Sequence, residues 1–311
     1  MNETILLIGH GSRHTAGNIE ILQFGEQLRA RRPDWDIDVC FIEFSNILVP
    51  EGLQRAAQKS KRVIAVPLIL NAAGHVKMEV PAHIAHARQH FPHTDFVYAR
   101  HLAASESILA VLRRRLQQAM LSLDMPDPRS TGLILLGRGA SDRAANGEVA
   151  KMARWIFEET EHDLVDIAFT GITHPRLEAV IQRQARLGMM QSIVLPYYLF
   201  TGTLMERITR QIDHARVQYP HMRFAHTGYF GFEEEILALV EQRVAEARRE
   251  LRPIMMECDG CKFRLVAEEQ GHGHHHHGDA THAQADDHDH DHDHDHDHQH
   301  DHVHTHATVH A

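Results

Sequence analysis

The sequence predicts an α/β protein of two tandem domains, each on a parallel sheet and related to the other by internal duplication. Three observations carry that expectation. The first is a repeat at an offset near 128 residues. Ile5-Leu6-Leu7-Ile8-Gly9-His10-Gly11-Ser12-Arg13 is answered by Leu133-Ile134-Leu135-Leu136-Gly137-Arg138-Gly139-Ala140-Ser141. Val63-Ile64-Ala65-Val66-Pro67-Leu68-Ile69-Leu70 is answered by Ser192-Ile193-Val194-Leu195-Pro196-Tyr197-Tyr198-Leu199. The second is the character of these apolar runs. They are nearly continuous rather than alternating, as in parallel strands covered on both faces. The third is strand–helix alternation at the spacing of right-handed crossover units.

Taken in order, the apolar runs at 4–9, 37–41, 62–70 and 95–98 read as strands of the first half. Amphipathic stretches at 15–32, 47–58, 80–90 and 105–121 read as its helices. The second half gives strands at 131–137, 163–169, 191–199 and 223–226, and helices at 144–158, 176–187, 204–218 and 233–249. Pro126-Asp127-Pro128 marks the boundary, so the expected domains are 1–127 and 128–252. Pro253 ends the last helix region. A short cysteine-bearing segment, 253–270, follows, and 271–311 is of low complexity. Its Asp-His alternation from Asp287 to His298 offers nothing apolar to bury, so disorder is expected there.

Charge and histidine are unevenly spread. The net charge is −10, yet residues 271–311 hold nine Asp and no Lys, Arg or Glu. The remainder sits near −1, which argues against a nucleic-acid partner. Seventeen of the 30 histidines follow Gly271. Three cysteines are too few for a disulfide framework and suit a reducing compartment. No apolar run reaches membrane-spanning length, and Ile5 to Ile8 is too short for a signal core. The expected location is the cytoplasm.

Chemistry in an open parallel sheet collects beyond the carboxyl ends of the strands. His10 directly follows the first strand, Glu43 ends the second, and His75 lies in the loop after the third. All three fall on one edge of one sheet. Two imidazoles and a carboxylate suit a divalent first-row metal, and imidazole also accepts protons near neutral pH. In the second copy Arg138 replaces His10, and Gly202-Thr203-Leu204 replaces the region of His75. One active site in a duplicated scaffold is the expectation.

Ile8-Gly9-His10-Gly11-Ser12-Arg13, Phe41-Ile42-Glu43, and Ala73-Gly74-His75-Val76 followed by Glu79-Val80-Pro81 resemble the sirohydrochlorin chelatases over residues 1 to about 250. The resemblance implies two flavodoxin-like domains facing each other across a cleft. It implies insertion of cobalt, iron or nickel into a tetrapyrrole, sirohydrochlorin. No phosphate-cradling Gly-rich P-loop is present in the sequence, so ATP is not expected to take part. His10 and His75 would be the metal-binding and proton-accepting histidines, with Glu43 as their acidic partner.

Met256-Glu257-Cys258-Asp259-Gly260-Cys261 beside a histidine-rich stretch is similar to the long cobaltochelatase (CbiX) type, in which the cysteines are linked to an iron–sulfur cluster. By spacing alone, Cys258 and Cys261 fit half a zinc site, half a cluster or a dithiol. A cluster would need a pair from a second chain, hence a homodimer, or outside ligands. Cys40 reads as a buried core thiol. Dense imidazole and carboxylate in the tail suit capture of divalent metal ions. The tail favours cobalt or nickel over iron, and it also raises a storage or delivery role as the rival to catalysis. Arg113-Arg114-Arg115 reads as a solvated helix face. Tyr197, Tyr198 and Phe200 either line a tetrapyrrole cleft or pack the core, and His83, His86, His90 and His101 read as surface or capping residues.

Overall fold

Eight parallel strands form two four-stranded sheets, and the order of elements explains where the chemistry sits. The computed structural model describes residues 2–123 and 125–249. In the first half, β1 (Glu3–Gly9), β2 (Asp36–Phe41), β3 (Arg62–Pro67) and β4 (Asp95–Tyr98) pair in the order β2-β1-β3-β4. In the second, β5 (Thr131–Gly137), β6 (Val165–Phe169), β7 (Gln191–Pro196) and β8 (Arg223–His226) pair as β6-β5-β7-β8. The central strands β1 and β5 are the most apolar, since both their faces are covered. The strand order reverses beside β1, and at such a switch point the loops after neighbouring strands part to leave a crevice.

The helices are α1 (Thr15–Arg31), α2 (Val49–Lys59), α3 (Val80–His90), α4 (Glu106–Leu121), α5 (Arg143–Glu158), α6 (Leu177–Arg186), α7 (Thr203–Gln218) and α8 (Glu234–Ala247). A π-helical turn, His75–Glu79, runs directly into α3. The first-half sheet buries its outer face against α2 and α3, with Leu6, Ile8, Leu53, Val63 and Ile84 at the centre. The second-half sheet does the same with α6 and α7.

The inner faces are shared. One continuous apolar cluster takes in Ile5, Leu7 and Phe24 of the first half and Leu133, Leu135 and Ile236 of the second. Within it the last helices of the halves cross over: α4 packs on β7 and β8, and α8 packs on β3. Arg243 of α8, 3% exposed, donates to the carbonyls of His101 at 3.0 Å and Leu102 at 2.7 Å, and pairs with Glu246 at 2.8 Å. The crossing also changes the meaning of the arginine triplet on α4. Instead of forming a solvated face, Arg113 pairs with Glu159 at 2.8 Å, Arg114 with Glu233 at 2.7 Å and Arg115 with Glu233 at 2.8 Å, all across the halves.

Two strands are shorter than the apolar runs suggest. β3 stops at Pro67 and β7 at Pro196, where the ladder to the central strand ends. Leu68, Leu70 and Leu199 remain apolar because they enter the shared core from the loops. Cys40 is buried in β2, and burial pushes its thiol pKa up. No helix among the described residues is long and apolar enough to cross a membrane. Cys258, Cys261 and the histidine-rich stretch lie outside the described residues.

Candidate active site

Gly11 fixes the first corner of the site. Its φ of +87° belongs to the left-handed region, and a Cβ there would stand 1.7 Å from the Glu43 carbonyl oxygen. With no side chain in the way, the loops after β1 and β2 are stitched together. Ile42 N–H donates to Gly9 O at 2.9 Å, and Glu43 N–H to His10 O at 3.1 Å. Asn18 of α1 holds the same corner: it accepts from Ser12 N–H at 2.8 Å and donates to Phe44 O at 2.8 Å. The side chains of His10 and Glu43 are thereby brought together, His10 Nδ1 lying 3.4 Å from Glu43 Oε1.

His75 arrives from the loop after β3 as the first residue of the π turn. A proline follows the wide turn, in the first turn of α3. Pro81 has no N–H to give back to the preceding turn, and Tyr98 OH donates to Val76 O at 3.1 Å. His75 Nδ1 meets Glu79 Oε2 at 2.6 Å. A carboxylate accepts, so Nδ1 carries the proton and the Nε2 lone pair is left for the site. The rings of His10 and His75 meet edge to face with centroids 5.0 Å apart. One ligand atom each from His10, Glu43 and His75 lies within 4.8 Å of the others, which is the spacing of a divalent-metal cluster.

Across the cleft stands the second half. Arg138 Nη1 donates to His10 Nε2 at 2.9 Å, while His10 Nδ1 donates to Gly11 O at 3.1 Å. Burial and then the Arg138 cation hold the His10 pKa below its ordinary 6.5, so the ring is neutral at pH 7. Tyr197, Tyr198 and Phe200 line the same cavity, of about 540 Å³. Tyr197 is also core, at 3% exposure. Tyr198 OH shares a 2.6 Å hydrogen bond with Thr170 Oγ1, and burial pushes its pKa up to about 12. The rim is pinned across the halves by Lys77 with Asp142, His14 with Glu206 at 3.7 Å, and Thr201 N–H donating to Glu20 at 2.8 Å.

Two residues of this arrangement carry roles that strand-end reasoning does not supply. Glu79 orients His75, a pairing legible in its position four residues on. Arg138 reaches back to His10, its own counterpart in the repeat. Equivalent positions meet in this way only near an axis relating the two copies, and an offset of 128 in sequence does not reveal that axis.

The fold and site define a two-lobed α/β protein of the metal-chelatase class, with one cluster among the described residues, His10, Glu43 and His75, spaced to hold a metal ion beside a cleft that both halves line. The CbiX family pattern matches residues 4–119 and again 132–247, and the chain belongs to that family. It is 36% identical over 268 residues to the sirohydrochlorin cobaltochelatase of Priestia megaterium, covering 85% of each chain. It is 24% identical to a sirohydrochlorin ferrochelatase of the same organism, over 78% of this chain and 89% of the relative. The fold matches that of the sirohydrochlorin chelatase SirB from Bacillus subtilis subspecies spizizenii in complex with cobalt. The TM-score is 0.68 at 24% identity, over 80% of this chain and 97% of the other.

Proposed function

We propose that this protein is a sirohydrochlorin cobaltochelatase, which inserts Co2+ into the macrocycle and releases two protons. The observation that carries this reading is the His10–Glu43–His75 cluster on one wall of a cleft that both halves line. The similarity to the Priestia megaterium cobaltochelatase supports cobalt as the metal and sirohydrochlorin as the substrate.

Insertion has two requirements. The metal sheds water, and the macrocycle loses its two inner N–H protons. Nε2 of His75, presented by Glu79, is suited to replace a water on the arriving metal. His10, neutral at pH 7, is suited to accept a pyrrole proton once Arg138 leaves Nε2, and Glu43 beside it stabilises the imidazolium that forms. No step calls for ATP. The reading is tested by an anaerobic spectrophotometric assay with sirohydrochlorin and Co2+, Ni2+ and Fe2+ in turn. Cobalt is expected to give the highest kcat/KM, and absence of insertion with all three metals would sink the reading.

Two finer elements belong to this reading: a cytoplasmic enzyme with an iron–sulfur cluster at Cys258 and Cys261, and divalent ions held by the histidine-rich stretch. Among the described residues the sole cysteine is the buried Cys40, so a four-cysteine cluster would draw its other ligands from a second chain or from outside. Anaerobically purified protein is expected to be brown, and a Cys258→Ser, Cys261→Ser double variant colourless. Removing residues 272–311 is expected to lower the insertion rate only when cobalt is scarce, because a tether raises local concentration without shaping a transition state.

A further inference from the structure

We infer that the outer face of α3 carries a second cation-docking site, made by His86 and His90, from which His83 and Glu79 lead to His75. Its role as a supply route for the metal rests on the proposed chelatase function; the binding itself does not.

The spacing comes first. Positions 75, 79, 83, 86 and 90 are separated by four, four, three and four residues, which sets them in one stripe along a helix. The contacts follow the stripe. His75 touches Glu79 at 2.6 Å, and the other oxygen of Glu79 lies 4.0 Å from His83 Nε2. The rings of His86 and His90 overlap one turn further out, with centroids 4.1 Å apart and planes tilted by 32°. His90 Nδ1 lies 3.0 Å from the His86 carbonyl, which can only accept, so the proton is on Nδ1 and the lone pair on Nε2. His75 presents Nε2 by the same device. His86 and His90 are exposed and His83 is half-buried, so the stripe runs from solvent toward the cleft. Two imidazoles one helical turn apart are a natural bidentate pair for Co2+, Ni2+ or Zn2+.

The internal repeat supplies a control. On α7 the positions matching Glu79, His83, His86 and His90 hold Arg207, Gln211, His214 and Gln218. The packing face of the two helices is conserved in kind: Val80, Ile84 and Ala87 are buried on α3, and Ile208, Ile212 and Ala215 on α7. The histidine pair does not recur: His214 stands opposite His86, but no second histidine lies one turn away in the half that lacks His10, Glu43 and His75. A pair serving solubility alone would have no reason to be broken in that half.

Crystals of the full chain soaked in cobalt chloride, with no macrocycle present, test the docking site by anomalous scattering. A peak bridging His86 and His90 is expected besides the one at His10 and His75, and His90→Gln is expected to erase the outer peak and keep the inner one. A filled cleft with no density on α3 would overturn the inference. The supply role is tested by kinetics. The His86→Gln, His90→Gln double variant is expected to raise the KM for cobalt by about threefold to tenfold while the KM for sirohydrochlorin stays put. An unchanged KM for cobalt would overturn that role. Wild-type protein without insertion activity would instead count against the chelatase reading and leave the crystal result legible.

Discussion

The two halves share a backbone and differ in chemistry at four matched positions. His10, Glu43, His75 and Glu79 of the first correspond to Arg138, Gly171, Thr203 and Arg207 of the second. Everything that shapes the corner is repeated. Gly11 and Gly139 both have φ of +87°, and Asn146 ties Ala140 as Asn18 ties Ser12. Gly171 N–H donates to Arg138 O as Glu43 N–H donates to His10 O. The fold therefore constrains the glycines and the asparagine, whereas the ligand positions are open to change. Where the first copy sets two imidazoles and a carboxylate, the second sets the guanidinium of Arg138 against them.

The largest effect should come from the first-half histidines. His10→Ala and His75→Ala are each expected to lower turnover by about two to four orders of magnitude with an unchanged circular-dichroism spectrum. Near-normal turnover in either would remove that residue from the site. Glu79→Gln keeps the shape but weakens the hold on the His75 tautomer, so cobalt affinity or turnover should fall by about tenfold to a hundredfold. Arg207→Gln, its counterpart, should leave cobalt affinity where it is. A matching loss there would break the asymmetry.

The glycines test the shared part of the comparison. A Cβ at Gly11 or Gly139 meets a carbonyl oxygen at 1.7 Å or 2.2 Å, in a backbone conformation that L-residues avoid. Gly11→Ala and Gly139→Ala should each cost about 1–3 kcal/mol in chemical denaturation. Indifference at Gly139 would mean that the second corner is no longer held.

Arg138→Met is the mildest change. In the proposed chelatase, loss of a cation from the cleft should raise the KM for sirohydrochlorin, an acidic macrocycle, about twofold to fivefold. It also shifts the pH profile. Burial first, and Arg138 second, keep His10 below 6.5, and protonation on the acid side would remove it from its proposed roles as ligand and base. Without Arg138 the ring takes its proton at higher pH, so the acid limb of kcat/KM should move up. A limb that stays in place would free His10 of any influence from the second half.

Much of this was legible in the residues. Continuous apolar runs located all eight strands, and the strand-end rule brought His10, Glu43 and His75 to one sheet edge. Pro67 and Pro196 ended their strands early, which the apolarity of Leu68 and Leu199 concealed because those leucines serve the core from loops. The π turn at His75 was hidden because helical periodicity tells a wide turn from a loop only when several turns follow. Amphipathic patterning shows that α4 and α8 bury a face but not against which sheet, so the pairing of Arg113, Arg114 and Arg115 with the other half could not be read from charge alone.

The crossed helices have a consequence for how the chain is made. When the ribosome has finished β4, the inner face of the first sheet over β3 has no cover, because its helix is residues 234–247. α4 emerges next, yet it belongs on strands still to be synthesised. The nascent first half must wait with the β3 part of its inner face bare, α1 covering β1 and β2, until nearly the whole described chain is out, and it then closes in one event with the second. Heat or denaturant should accordingly unfold both halves together, despite a sequence that counts two.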